Sequence, residues 1–187
     1  MNPKQRLATV LPLLGCLLLA SCDSGGGGGP VEVTFQFSQA GNCTGAEPNL
    51  LTLSRGKVNQ AAGTVQLFVD ASFADPVLGA AFHVSYNPKV LKFVKFVPNA
   101  IFMAGGVAEA QRLKDLPGTV AVGVTRLGGT PGASGTHSLG HLVFSRKVDF
   151  GTTAISFSDE LLADAQSSFP TPLAACWADG QLKIRPK

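Results

Sequence analysis

The chain has 187 residues, a formal charge of +3 and only 14% charged residues. No run of Lys or Arg stands out, which argues against nucleic acid as a partner. Abundant Gly, Val, Thr, Ser and Phe favour an all-β extracytoplasmic domain over a helical one.

The first element is an export signal. Lys4 and Arg6 precede an apolar run, Leu7 to Ala20, of 14 residues. A membrane-spanning helix needs about 20 residues, so the run reads as a cleaved signal peptide over 1–21. It ends in Leu18-Leu19-Ala20-Ser21-Cys22, which resembles the lipobox of bacterial lipoproteins. The resemblance implies lipidation at Cys22, membrane attachment through that lipid anchor, and a location at the bacterial cell envelope. The alternative is an ordinary secretory signal cut after Ala20 or Ser21, with Cys22 left free. Residues 22–30 follow as the lipidated cysteine and a Gly-rich tether, with five consecutive glycines closed by Pro30. Removing Lys4 and Arg6 with the signal lowers the formal charge from +3 to +1.

Residues 31–187 read as one β domain, long enough to bury a core. Val31, Val33, Phe35 and Phe37 alternate with polar residues, the period of a half-buried strand. The same period recurs at Val65-Leu67-Val69, Ala80-Phe82-Val84-Tyr86, Val120-Val122-Val124, Leu142-Phe144, Ile155-Phe157 and Leu182-Ile184. Val107 to Leu113 is read as a further strand, paired through the turn Asp115-Leu116-Pro117-Gly118. Turns are placed at Asn59 to Gly63 and Gly128 to Gly135. Asn87-Pro88-Lys89-Val90-Leu91 has the makings of one helical turn. One apolar face per strand means antiparallel sheets with one wet side. The expected fold is an antiparallel β-sandwich of jelly-roll type with roughly nine strands.

Of four cysteines, Cys16 lies in the signal and Cys22 would be lipidated, as the lipobox resemblance implies. Cys43 and Cys176 remain, in an oxidising compartment, and are expected to form a disulfide.

Gly79 to Phe93 contains Tyr86-Asn87-Pro88 and Leu91. It resembles the central motif of cohesin domains, where a strand ends in Tyr-Asp-Pro and Leu follows after two residues. Gly63-Thr64-Val65, Leu139 with Leu142 and Phe144, Ile155-Ser156-Phe157-Ser158, Ala163-Asp164 and Asp179-Gly180-Gln181-Leu182 follow the family order. The resemblance covers roughly Leu50 to Ile184. It implies a jelly roll with an added N-terminal strand, and a protein partner of dockerin type, a calcium-loaded helical module. The recognition face would include the strand before Tyr86, with Gly79, Ala81, His83 and Ser85 outward. In cellulosomal cohesins that strand carries Asn and Asp; here Gly79 and Ala81 stand in their place. The motif also has a plain structural reading. Tyr86 closes a strand with its hydroxyl near a loop, and Pro88 stops the ladder because it lacks an N–H.

No catalytic constellation is visible. Gly132-Ala133-Ser134-Gly135 lacks the pattern of a nucleophile elbow. His137 and His141 would lie roughly 13 Å apart on a strand, too far to share a metal, and are read as solvent-facing. Asp159, Glu160 and Asp164 form a candidate calcium loop, weighed against ordinary solvated carboxylates. Trp177 is read as core. Phe68 falls outward by alternation, marking either a patch or cover by the N-terminal strand. Two functions result: a membrane-anchored, non-catalytic protein-binding module, or a polysaccharide-binding module on the envelope. The second needs a row of exposed aromatics, and the chain has one Tyr and one Trp.

Overall fold

A computed structural model describes residues 31–44, 47–103, 106–112, 117–127, 131–165 and 171–187. The signal peptide over 1–21, Cys22, the glycine segment and Gly128 to Thr130 of the predicted turn lie outside the described residues, as do Asp115 and Leu116.

The order is β1 (Val33–Gln39), β2 (Asn49–Asn59), β3 (Thr64–Tyr86), β4 (Leu91–Pro98), a one-turn helix α1 (Ala100–Met103), β5 (Val107–Arg112), β6 (Thr119–Thr125), β7 (Ala133–Arg146), β8 (Gly151–Asp164), β9 (Cys176–Trp177) and β10 (Gly180–Pro186). The ten strands among the described residues fit the expected roughly nine with an added N-terminal strand, which is β1. Its partner is β10, from Val33 opposite Pro186 to Gln39 opposite Gly180. Asn87 to Leu91 makes a tight turn rather than a lasting helix: Val90 and Leu91 both donate their N–H to the Asn87 carbonyl. β7 begins at Ala133, so the predicted turn ends earlier than Gly135.

β3 organises the sandwich. Its first half pairs with β2 on one side and β7 on the other, and its second half with β6 and β8. The exchange of partners falls at Ala74-Asp75-Pro76, where the β7 register jumps from Phe73 to Val77. Pro76 has no N–H for a ladder. The two N–H groups before it are taken by Asn49, whose Oδ1 accepts from Ala74 at 3.1 Å and Asp75 at 3.4 Å. Its Nδ2 donates to Asp75 Oδ2 at 3.1 Å and to the Ala174 carbonyl at 2.9 Å. Asn49 is therefore fully buried with each polar group satisfied. Past Val77 the inward set changes phase, from Val65, Val69 and Val77 to Ala80, Phe82 and Val84. One layer is thus β9-β2-β3-β7-β4 and the other β1-β10-β8-β3-β6-β5.

Between the layers sit the residues that alternation marked. Phe82, Phe157 and Trp177 pack with centroids 5.3 to 5.4 Å apart, which confirms Trp177 as core. Tyr86 lies edge-on to Phe144 at 5.1 Å, and its hydroxyl accepts from the Phe93 N–H at 3.4 Å. Val31 departs from its pattern: β1 starts two residues later, and Val31 is 48% exposed. Cys43 and Cys176 form the expected disulfide, across 133 positions. It ties the segment after β1 to β9, and Asn42 reinforces the junction by donating to the Trp177 carbonyl at 2.9 Å.

Candidate interaction face

The outer side of β8-β3-β6-β5 is built by alternation. With Phe82 and Val84 inward, Ala81, His83 and Ser85 turn outward from β3; with Val122 and Val124 inward, Ala121, Gly123 and Thr125 do so from β6. Registers place Ala81 opposite Gly123 on one side and Leu161 on the other. The result is a face nearly without side-chain relief. Two adjoining shallow grooves of about 300 Å³ each run along it. One is lined by Ala81, Val107, Gly123, Leu161 and Ala163, the next by Ala81, His83, Ala121, Gly123 and Asp159. Leu161 and Val107 flank the first groove at 44% and 53% exposure.

The two glycines differ. A Cβ on Gly79 would meet the Val124 carbonyl oxygen at 2.5 Å, so close packing of β3 on β6 requires glycine there. Gly79 also lines the first groove, as expected of its place on this face, but it is buried, so it contributes backbone rather than an exposed contact surface. A Cβ on Gly123 meets nothing within 4 Å, and its backbone is not left-handed. The fold does not need glycine at 123. A strand glycine of that kind commonly marks close approach by another backbone.

At one end His83 Nδ1 lies 2.7 Å from Asp159 Oδ2. This pairing is local to a bulge: Ser158 opposes His83 and Leu161 opposes Ala81, so Asp159 and Glu160 together face the single residue Phe82, one residue more than the ladder takes. Asp159 adopts φ 50°, a left-handed conformation that Asp tolerates better than most residues. The bulge corrects the calcium reading. It turns the Asp159 carboxylate to His83, while Asp164 sits at the far end of β8 near the Thr171 hydroxyl, at 3.5 Å. No group of three His, Cys, Asp or Glu side chains among the described residues is arranged to hold a metal.

The opposite outer face, on β2-β3-β7-β4, is filled. Phe68 lies edge-on to His141 at 5.3 Å, and its ring occupies the space a Cβ on Gly56 would take. Neither alternative offered for Phe68 holds: its cover comes from β2 and β7. His141 and His137 are half-buried rather than solvent-facing, the latter stacked on Phe73 at 6.3 Å. Burial, and then the charge of Lys95, hold the His141 pKa below the usual imidazole value.

The alternation of β6 already showed Ala121 and Gly123 outward, but nothing local showed β6 beside β3. Leu161 escaped notice because the bulge shifts the phase of β8.

A family model described as "Cohesin domain" matches residues 51–171. Solved cohesins share the fold. A type I cohesin–dockerin complex from Clostridium thermocellum aligns at TM-score 0.55 and 11% identity, covering 72% of this chain and 92% of that one. A cohesin from Clostridium acetobutylicum aligns at 0.52 and 20%, covering 71% and 88%. A non-cellulosomal cohesin from the archaeon Archaeoglobus fulgidus aligns at 0.52 and 16%, covering 70% and 88%. A search of curated proteins finds no match. Cohesin domains are non-catalytic interaction modules, and the family model spans well over half of the chain: this protein belongs to the cohesin family.

Proposed function

We propose that the protein is a lipid-anchored interaction module that holds a dockerin-like helical partner at the cell envelope. The observation that carries the reading is the open position above Gly123, at the centre of a smooth face, on a chain of the cohesin family. The neighbour from Clostridium thermocellum was solved with its dockerin. The face offers shape and small apolar side chains in place of the Asn and Asp of cellulosomal cohesins, so the partner surface should be apolar at its centre. His83, Asp159 and the exposed Glu160 supply polar contacts at one end. The anchoring half rests on the lipobox ending at Cys22.

Polysaccharide binding has weaker support. Tyr86 and Trp177 are 6% and 8% exposed, and the most exposed aromatic among the described residues, Phe150, lies off this face.

The test is a pull-down from the native envelope and secreted fraction, with and without calcium, using the full chain and its Gly123→Lys variant. A partner retained by the parent and lost by the variant supports the reading. Retention on insoluble polysaccharide, unaffected by the variant, overturns it.

A further inference from the structure

We infer that the end of the domain from which the N-terminal segment emerges is a membrane-contact surface for anionic lipid headgroups. The inference extends the anchoring half of the proposed function and is independent of the partner face.

Three strand ends and a turn meet there. Val33 pairs with Pro186, and Ile184 with Gly151. The Lys187 N–H reaches the Glu32 carbonyl at 3.0 Å, and Arg146 Nη2 donates to the Val31 carbonyl at 3.1 Å. Lys147 Nζ donates to the Pro88 carbonyl at 2.9 Å, drawing in the turn that carries Lys89. Among the described residues of this pole, the carboxylates Glu32 and Asp149 are already paired, with Lys187 and Arg146. Lys89, Lys147 and Arg185 are exposed in addition. The pole is therefore net cationic, whereas the mature chain has a formal charge near +1.

Amid these cations Phe150 is 73% exposed and Val31 48%. A single exposed apolar residue is ordinary. An aromatic ring and an aliphatic side chain set among lysines and arginines form the composition of an interfacial contact, with apolar groups entering the headgroup layer and cations meeting anionic lipid.

Chain length selects the occupant. Nine positions separate Val31 from Cys22, which limits the pole to about 30 Å from the anchor even at full extension. A lipid at Cys22 would keep this pole within that distance of the bilayer. The apolar groove lies at the opposite end of β8: Ala163 is twelve residues beyond Gly151, roughly 35–40 Å along the strand. Contact at the pole would stand the partner face upright, clear of the membrane.

The test uses the full lipidated chain with Phe150→Trp in phosphatidylglycerol vesicles doped with brominated lipid. Trp177 is buried at the far end of β2, so the parent chain supplies the background. The indole at position 150 should be quenched well beyond that background. Quenching should vanish in phosphatidylcholine vesicles, in roughly 1 M salt, where the Debye length is about 3 Å, and in the double variant Lys89→Glu, Lys147→Glu. Equal quenching of parent and Phe150→Trp overturns the inference. Flotation in the same high salt reads the anchor separately. A chain that stays on vesicles but is not quenched keeps the anchor and rejects the pole. A chain released by salt yet quenched without it rejects the anchor and keeps the pole.

Discussion

Gly56 and Gly123 sit on the two outer faces of the same sandwich, and their surroundings are opposite. The space beside Gly56 is taken by the Phe68 ring, at 2.5 Å from where a Cβ would stand; the space beside Gly123 is open. Both faces are served by β3, one by each half. The β2-β3-β7-β4 face closes over itself, with Phe68 on His141 and Ser54 donating to Asp70 at 2.5 Å. The β8-β3-β6-β5 face leaves small residues uncovered. A glycine required by packing concerns the fold, whereas a glycine with nothing above it is available for a partner. The proposed interaction site is thus the one that the domain itself leaves vacant.

Four predictions sharpen this comparison. The largest effect concerns the frame common to both faces. Replacing Cys43 and Cys176 together by Ser should cost about 4–5 kcal/mol, because the bridge closes a loop across 133 positions; chemical denaturation of the oxidised parent and the variant measures it. Phe82→Ala removes the ring at the centre of the Phe157 and Trp177 cluster and should cost about 3–5 kcal/mol, seen as a lower denaturation midpoint. The glycine pair comes next. Gly56→Ala forces the Phe68 ring to move and should destabilise by about 1–3 kcal/mol. Gly123→Ala meets open space and should be neutral or stabilise by about 0.5–1 kcal/mol. Equal losses at the two positions would show that the faces do not differ as described.

The smallest effect is one of pH. His141 has a folded pKa below its unfolded value, through burial and Lys95. The unfolded chain therefore binds the proton first. The contribution of neutral His141 is present above about pH 6.5 and is lost as the pH falls from there through the folded pKa. Melting temperature should decline slightly across that window, and His141→Gln should flatten the decline.

Much of this was legible in the chain. Alternation located Phe82, Val84, Tyr86, Val122 and Phe144 on inward positions because a one-sided sheet imposes period two on its sequence. The cysteine pair followed from elimination once export was read. Three things were not legible, each for a non-local reason. The corner at Pro76 depends on Asn49, distant in sequence, which meets the freed N–H groups. The bulge at Asp159 breaks the phase of β8, which hid Leu161 and made Asp159 resemble a calcium ligand beside Glu160 and Asp164. The buried state of Gly79 depends on β6 lying against β3 at the Val124 carbonyl, a contact made only when the sheet assembles. His83 and Ala81 kept their outward places because nothing interrupts the alternation from Ala80 to Tyr86.

The most direct test of the vacant-face account compares two lysines introduced on the two outer faces of the sandwich, with stability measured alongside. Gly123→Lys fills the open face, and Gln66→Lys adds the same charge to the closed one. Partner capture by the full chain should fall at least tenfold with Gly123→Lys and be unchanged with Gln66→Lys, both variants melting like the parent. Undiminished capture by Gly123→Lys, or loss confined to Gln66→Lys, would contradict the account.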